Sequence, residues 1–292
     1  MAGSVKKPPL IAIVGETASG KSALSMSLAQ QFDGEIICAD SWTVYKGFDI
    51  GTAKPSKEDQ ATIPHHLIDV AMGDEGFNVE RFKEMAVNAI DDISNRSKLP
   101  IMVGGSGLYV DSVLFDYQFL GPPNVELRSE LNSLSLEKLK ELVKNGNLNS
   151  AGVDMKNKRR VIRLIEGGHS TPKTWTIRSN TLVLGLKTPL DVLEKRIRSR
   201  VEGMVESGFV EEVKSLGELY GWDSEVMKAP GYKAFREYVN GSISLEEATD
   251  RFVHRDLRLA KKQRTWFKRN NSIQWITKQS EAVALVTTFL NK

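Results

Sequence analysis

Residues 10–22 read LIAIVGETASGKS, and this stretch decides the fold. An apolar, β-rich run leads straight into GETASGKS, which has the spacing G-x-x-x-x-G-K-[ST], and SALSMSLAQQF follows as a helix. A strand, a glycine-rich turn and a helix in that order form a phosphate cradle. The glycines let backbone amides face inward, the helix N-terminus adds positive potential, Lys21 reaches the terminal phosphates, and Ser22 offers a hydroxyl to Mg²⁺. The loop predicts a phosphate or pyrophosphate chain in the ligand without making ATP its owner.

Outward from the loop, EIICAD (35–40), HHLIDV (65–70) and PIMVGG (100–105) alternate with helical patterns. This is the βαβ rhythm of a parallel sheet. From about 118 to 176 the strands stop. Polar helical stretches such as LEKLKELVKN take over, followed by a basic run and a loop containing HSTPKT. TLVLGL (181–186), a long helix from about 189, another from about 244 to 269 and a strand near SIQWIT restore the rhythm. The expected class is α/β, a P-loop parallel-sheet core flanked by helices, with an inserted, mainly helical subdomain. The core takes residues 8–117 and 178–292, and the insert takes 118–177.

At 292 residues, 26% charged and 40% hydrophobic, the chain is neither disordered, collagenous nor a disulfide scaffold. No run approaches the roughly 18 apolar residues of a membrane span, and MAGSVKKPP lacks the apolar core of a secretion signal. A cytoplasmic protein with no membrane partner is expected. The single cysteine, Cys38, excludes an internal disulfide, and with only four histidines little material is left for a zinc site. The net charge of +3 hides clustering. Residues 155–163 hold five Lys or Arg and no acid, residues 251–269 hold eight against one acid, and the remainder is acidic. Two cationic patches on an acidic body suit a polyanionic partner, and a solvated helix face is the alternative for either one.

Asp40 closes EIICA, putting a carboxylate at the C-terminal edge of the sheet near the loop, where open α/β sheets bind ligands. The strand IMVGG ends in Gly104 and Gly105, where an ordinary P-loop ATPase has an acid. Asp40 is thus a candidate base for an acceptor nucleophile. Its alternatives are capping the next turn through Ser41 or standing behind a metal. On LDVLEKRIRSRVEGMV, Leu193, Ile197 and Val201 form a buried stripe with Arg196 and Arg200 beside it. One of these arginines can reach a leaving phosphate, or pair with Glu194 or Glu202 in solvent. His65 and His66 read as strand-end packing or hydrogen bonding, and GGSGLYV (104–110) as close ligand approach or a tight turn.

The runs GETASGKS, DSWTVYKGFDIGTAKP, PHHLID, GGSGLYV, KRRVIRLIE, PGYKAF and LAKKQRTWFK occur here in the order found in tRNA dimethylallyltransferases of bacterial type, and the chain resembles that family from about residue 8 to 276. The resemblance implies transfer of the dimethylallyl group of dimethylallyl diphosphate to the exocyclic amine of the adenosine 3′ to the anticodon, in tRNAs reading codons that start with U. It implies Asp40 as general base, Lys21 and Ser22 as catalytic, Ser22 on Mg²⁺ and Arg200 on the leaving group. Gly15, Glu16, Thr17, Ala18, Ser19, Gly20, Lys21 and Ser22 would hold the diphosphate. Asp40, Ser41, Trp42, Thr43, Ser106, Arg128, Arg159, Arg160, Val161, Ile162, Arg163, Lys228, Ala229, Pro230, Gly231, Tyr232 and Lys233 would touch the anticodon stem-loop of a tRNA.

Departures stand out: Glu16 where proline is usual, Trp42 and Thr43 where Arg and Gln are frequent, Pro230 where an aliphatic residue is usual, and a short insert. Mg²⁺ is the expected cofactor and a monomer the expected state. A transferase acting on free AMP, a P-loop kinase for a small molecule and a non-catalytic tRNA-binding protein are the competing readings. Only the first two use the loop and Asp40, and neither needs two cationic patches.

Overall fold

The computed structural model describes residues 7–119, 124–151, 153–167, 171–172 and 176–291. Its first half runs β1 (Leu10–Gly15), α1 (Lys21–Gln31), β2 (Gly34–Cys38), α2 (Lys57–Thr62), β3 (His65–His66), α3 (Val79–Asn95), β4 (Leu99–Gly104) and α4 (Gly107–Leu114). After the insert follow β7 (Thr181–Leu186), α8 (Leu190–Glu206), α9 (Phe209–Tyr220), α10 (Pro230–Val239), α11 (Leu245–Phe267), β8 (Ile273–Ile276) and α12 (Gln279–Leu290). The labels β5, β6 and α5 to α7 belong to the insert.

The central sheet has the order β3-β2-β4-β1-β7-β8, and every neighbouring pair is parallel. β1 lies between β4 and β7, with Ile11 opposite both Ile101 and Leu182, and all six of its residues are buried. That is why its sequence is continuously apolar: helices cover both faces. One core packs Ile11, Ile13, Leu24, Leu28, Ile36, Ile101 and Leu184 with Val286 of α12. A second joins Val44 and Phe48 to Leu193, Ile197 and Val201 of α8, Phe209, Tyr232 and Phe252.

Two elements differ from the sequence reading. The strand expected over HHLIDV is only His65–His66, because Leu67 and Asp69 adopt positive φ and turn the chain out of the sheet. Within the insert the strands do not stop. β5 (Tyr117–Gln118) pairs antiparallel with β6 (Thr171–Pro172), so part of the segment assigned to a loop is a short strand. The remainder of the HSTPKT run lies outside the described residues.

The insert, Phe115–Thr176, is a compact unit of its own. α5 (Val125–Ser133), α6 (Leu136–Asn145) and α7 (Lys158–Ile165) enclose Leu131, Leu139, Val143, Val161, Ile162 and Leu164. Asn124, Ser135 and Asn157 cap the three helices, each accepting from a backbone amide of the first turn.

Candidate active site

The loop between β1 and α1 takes its shape from positive φ at Gly15, Ala18 and Gly20, with α1 starting at Lys21. A Cβ on Gly15 would stand 2.8 Å from the Leu186 carbonyl oxygen, so β7 admits only glycine there. Lys21 Nζ donates to the Glu16 carbonyl at 2.5 Å, and the Ser19 amide donates to the same oxygen at 3.3 Å. α11 grips the loop from outside: the Thr17 amide donates to Gln263 Oε1 at 2.8 Å, and Arg264 pairs with Glu16.

Thr17 to Ala23, Asp40, Trp42, Thr43, Gly104, Gly105, Arg196, Arg200, Asp256 and Gln263 line one cavity of about 550 Å³. The loop thereby meets the sheet edge and helices α8 and α11. Ala18, Met204, Phe252 and Leu259 supply an apolar wall beside the cations. Residues Gly51 to Ala53 form another part of the wall, and Glu212 fixes their turn. Its carboxylate accepts from the amides of Asp49, Ile50 and Gly51 at 2.7 to 3.0 Å and from the Tyr232 hydroxyl at 2.6 Å.

Asp40 follows β2, is half-buried and lines the cavity. Its Oδ1 accepts from the Trp42 amide at 2.8 Å. Burial pushes its carboxyl pKa up, against the pull of the Trp42 amide and of the Lys21 and Arg200 charges. Burial also lowers Lys21 to about 8, with Asp40 opposing and Arg200 assisting. The turn cap and the candidate base are therefore the same residue. Ser41 takes no part in that cap; its amide donates to Ser106 Oγ at 3.0 Å, tying the loop after β4 to Asp40.

Arg200 pairs with Asp256 of α11 at 2.5 Å, and not with Glu194 or Glu202, the partners that the alternative reading gave it. Asp256 is 4% exposed, so this is an interior pair, and burial raises its carboxyl pKa against the Arg200 charge. Arg200 Nε, Ser19 Oγ and Thr43 Oγ1 are buried without a hydrogen-bond partner in the structure. Buried polar atoms are rarely left so, and all three residues line the cavity, which fits an oxygen-rich anion as its occupant. Among the described residues no three His, Cys, Asp or Glu side chains gather as a metal site. A Mg²⁺ ion that takes most of its oxygens from a substrate and water needs no such cluster, so the Ser22 hydroxyl fits it.

The other residues named from the sequence divide by environment. Ala229 and Pro230 line the cavity, and Pro230 is the first residue of α10, where its fixed φ suits the helix start. Gly231 and Tyr232 are buried behind them, Lys233 is exposed, and Lys228 pairs with Glu225 at 2.5 Å. In the insert, Val161 and Ile162 point into its core, Arg128 and Arg163 converge on Glu166, and Arg159 and Arg160 are exposed. Val161 and Ile162 therefore hold α7 in place while Arg159 and Arg160 face outward.

His65 lines the cavity with Nδ1 on the Ile63 carbonyl at 2.7 Å, and His66 pairs with Glu35. Gly104, Gly105 and Gly107 admit the Ala39 backbone, the Gln263 amide and the Trp266 indole respectively. In GGSGLYV the close approach is thus made by the chain itself. Sequence reasoning missed Asp256, Gln263 and Glu212. The first two had a signal: Ala248, Phe252, Asp256, Ala260, Gln263 and Phe267 form one buried face of α11, and these two polar residues interrupt it.

No described helix is long and apolar enough to cross a membrane. A sequence model described as IPP transferase matches residues 43–270, beginning just after the loop and Asp40. Full-length relatives cover the earlier part. The chain is 39% identical to a tRNA dimethylallyltransferase of Anoxybacillus flavithermus over 94% of this chain and 92% of that one, and 40% identical to one of an Exiguobacterium species over 93% and 91%. Its structure is similar to that of a tRNA isopentenylpyrophosphate transferase of Bacillus halodurans, with 37% identity, TM-score 0.75, and 98% and 97% of the two chains covered. It is also similar to a eukaryotic dimethylallyltransferase acting on tRNA, with 28% identity, TM-score 0.83, and 97% and 80% covered. With the parallel sheet, the loop and Asp40 already in place, a match over most of the length leaves one assignment: the chain belongs to the IPP transferase family.

Proposed function

We propose that this chain transfers the dimethylallyl group of dimethylallyl diphosphate to the N6 amine of the adenosine 3′-adjacent to the anticodon, in tRNAs reading codons that start with U, with release of diphosphate. One observation carries the reading: the half-buried carboxylate of Asp40, the cations of Lys21, Arg196 and Arg200 and an apolar wall share a single cavity. Diphosphate suits the loop, Lys21 and Arg200, and a five-carbon chain suits Ala18, Met204, Phe252 and Leu259.

The chemistry follows from the charges. The adenine amine nitrogen attacks the allylic carbon, the carbon–oxygen bond breaks, and its electron pair leaves on diphosphate. Asp40 accepts the amine proton. Lys21, Arg200 and the inward amides of the loop stabilise the negative charge as it grows on the departing group. Ser22 would hold a Mg²⁺ ion, which supplies further charge neutralisation on the diphosphate. The acceptor base must leave the anticodon stack, and bases in single-stranded loops flip cheaply. Arg159, Arg160 and the exposed cations Lys261, Lys262, Lys268 and Arg269 of the second patch would grip flanking phosphates. The proposal is for a monomeric, cytoplasmic enzyme.

The test offers dimethylallyl diphosphate and Mg²⁺ with unmodified tRNA or with AMP, and counts prenylated nucleoside by mass. Transfer to tRNA at least about a hundredfold more efficient than to AMP, a gap of roughly 2.7 kcal/mol, is expected. A preference for AMP would give the site to the free-nucleotide reaction. Consumption of ATP with no prenyl transfer would give it to the kinase reading.

A further inference from the structure

Glu16 places a carboxylate inside the loop that is to receive an anion, at a position where proline is usual in the family this chain resembles. The residue is 1% exposed, so water does not screen it. A lone charge there would oppose any diphosphate in the adjoining cradle, because Coulomb energies are large where solvent is excluded.

The compensation comes from the far end of the chain. Arg264, on the last turns of α11, directs Nε to Glu16 Oε1, and its second arm donates to the Thr188 carbonyl just after β7 at 2.6 Å. Arg264 is 18% exposed at its side chain and is thereby removed from the cationic surface that the sequence suggested for residues 251–269. Its neighbour Gln263 holds the Thr17 amide, so of two consecutive residues one holds the Glu16 side chain and the other the amide of the Glu16–Thr17 peptide. Glu16 does not line the cavity, and its own carbonyl holds Lys21 Nζ. The carboxylate thus faces α11 while the peptide it belongs to aims the lysine.

We propose that Arg264 is a positioning residue for the diphosphate loop. It cancels the Glu16 charge and fixes the Glu16 carbonyl, so that the cradle meets its anion with Lys21 correctly placed. The inference rests on the reading of residues 15–22 as a diphosphate site and adds a requirement specific to this chain: the acid and the arginine must be kept or removed together.

The experiment is a double-mutant cycle on the full chain, read by pyrophosphate binding in the presence of Mg²⁺ and by KM and kcat for dimethylallyl diphosphate. Arg264→Met leaves the acid uncancelled and should weaken pyrophosphate binding on the order of tenfold, about 1.4 kcal/mol. Most of the effect should fall on KM, with tRNA affinity changed less than threefold. Glu16→Gln with Arg264→Met removes both charges and should recover most of that loss, and this neutral pair keeps the test informative if the single variant folds poorly. A double variant no better than Arg264→Met overturns the proposal, as does a loss carried by tRNA affinity. Lys21→Ala, measured alongside, separates the two levels. If it leaves pyrophosphate binding intact, the diphosphate reading of the loop fails, and the present proposal fails with it. If it abolishes binding while the cycle shows no coupling, only the role of Arg264 fails.

Discussion

Replacing Asp40 by Asn tests the chemistry with little disturbance of the geometry. The Asn carbonyl can still accept the Trp42 amide that Asp40 Oδ1 holds at 2.8 Å, so the turn after β2 should stay closed. What disappears is one negative charge and one proton acceptor. Loss of a general base costs about 10²–10⁴-fold in rate, or roughly 2.7 to 5.5 kcal/mol. The charge change acts in the opposite direction on binding. Lys21 and Arg200 both feel Asp40, and without it more of their field is left for the diphosphate, so pyrophosphate should bind as well as before or more tightly. Single-turnover prenylation of tRNA, with filter binding of the same tRNA and calorimetry of pyrophosphate, reads the three quantities separately. Expected are a rate at least about a hundredfold down, tRNA affinity within a few-fold and pyrophosphate affinity not reduced. Turnover within tenfold of the parent would refute Asp40 as the base. A collapse of pyrophosphate affinity would show that it serves the leaving group instead.

Two further outcomes follow from other parts of the molecule. Arg159→Ala with Arg160→Ala, at two exposed positions of α7, should weaken tRNA binding and flatten its dependence on log salt by about 0.7 to 0.9 for each tRNA phosphate no longer neutralised; an unchanged slope would return that run to a solvated helix face. Gly104→Ala would put a Cβ 2.0 Å from the Ala39 carbonyl oxygen, so β4 and the segment carrying Asp40 must move apart, at a cost of about 3 kcal/mol. Denaturant unfolding checks this, and a midpoint equal to the parent's would contradict the packing.

The sheet was legible because β1, β4 and β7 are continuously apolar, the signature of strands covered on both faces. β3 was not, since HHLIDV has an ordinary strand composition and only the positive φ at Leu67 and Asp69 ends it. In the site, residues bound to one local feature were readable: Lys21 and Ser22 announce themselves by spacing, and Asp40 by closing an apolar strand. Arg200 was readable as a candidate, but its partner was not. Asp256 is 56 residues away, and nothing in sequence ranks it above the nearer Glu194 and Glu202. The choice is made by the packing of α8 on α11, which buries Asp256 and leaves the nearer acids toward solvent. Glu212 was invisible for a related reason. It sits in a run of helix-forming residues, and its four donors come from a turn more than 160 residues earlier and from α10.

The base and the leaving-group cations share one field, and this gives the reaction a built-in order. In the free protein Lys21 and Arg200 help keep Asp40 ionised although burial pushes its pKa up, and the Asp40 charge in turn helps raise the carboxyl of Asp256, which faces Arg200. When diphosphate takes up those two cations, their hold on Asp40 weakens and its affinity for a proton rises. The base strengthens as the electrophile arrives. The pH dependence reports this in two places, because kcat/KM reflects the free protein and single-turnover rates reflect the complex. Asp40 must be ionised to accept the proton, so activity falls as pH drops through its pKa, and that acidic limb should lie at higher pH in the single-turnover rate than in kcat/KM. Lys21 must be charged to hold diphosphate, so kcat/KM should fall as pH rises through about 8, and prior binding should push this alkaline limb upward. Acidic limbs that coincide, or that shift the other way, would mean that the cations and Asp40 are not coupled and that the carboxylate is ionised by some other means.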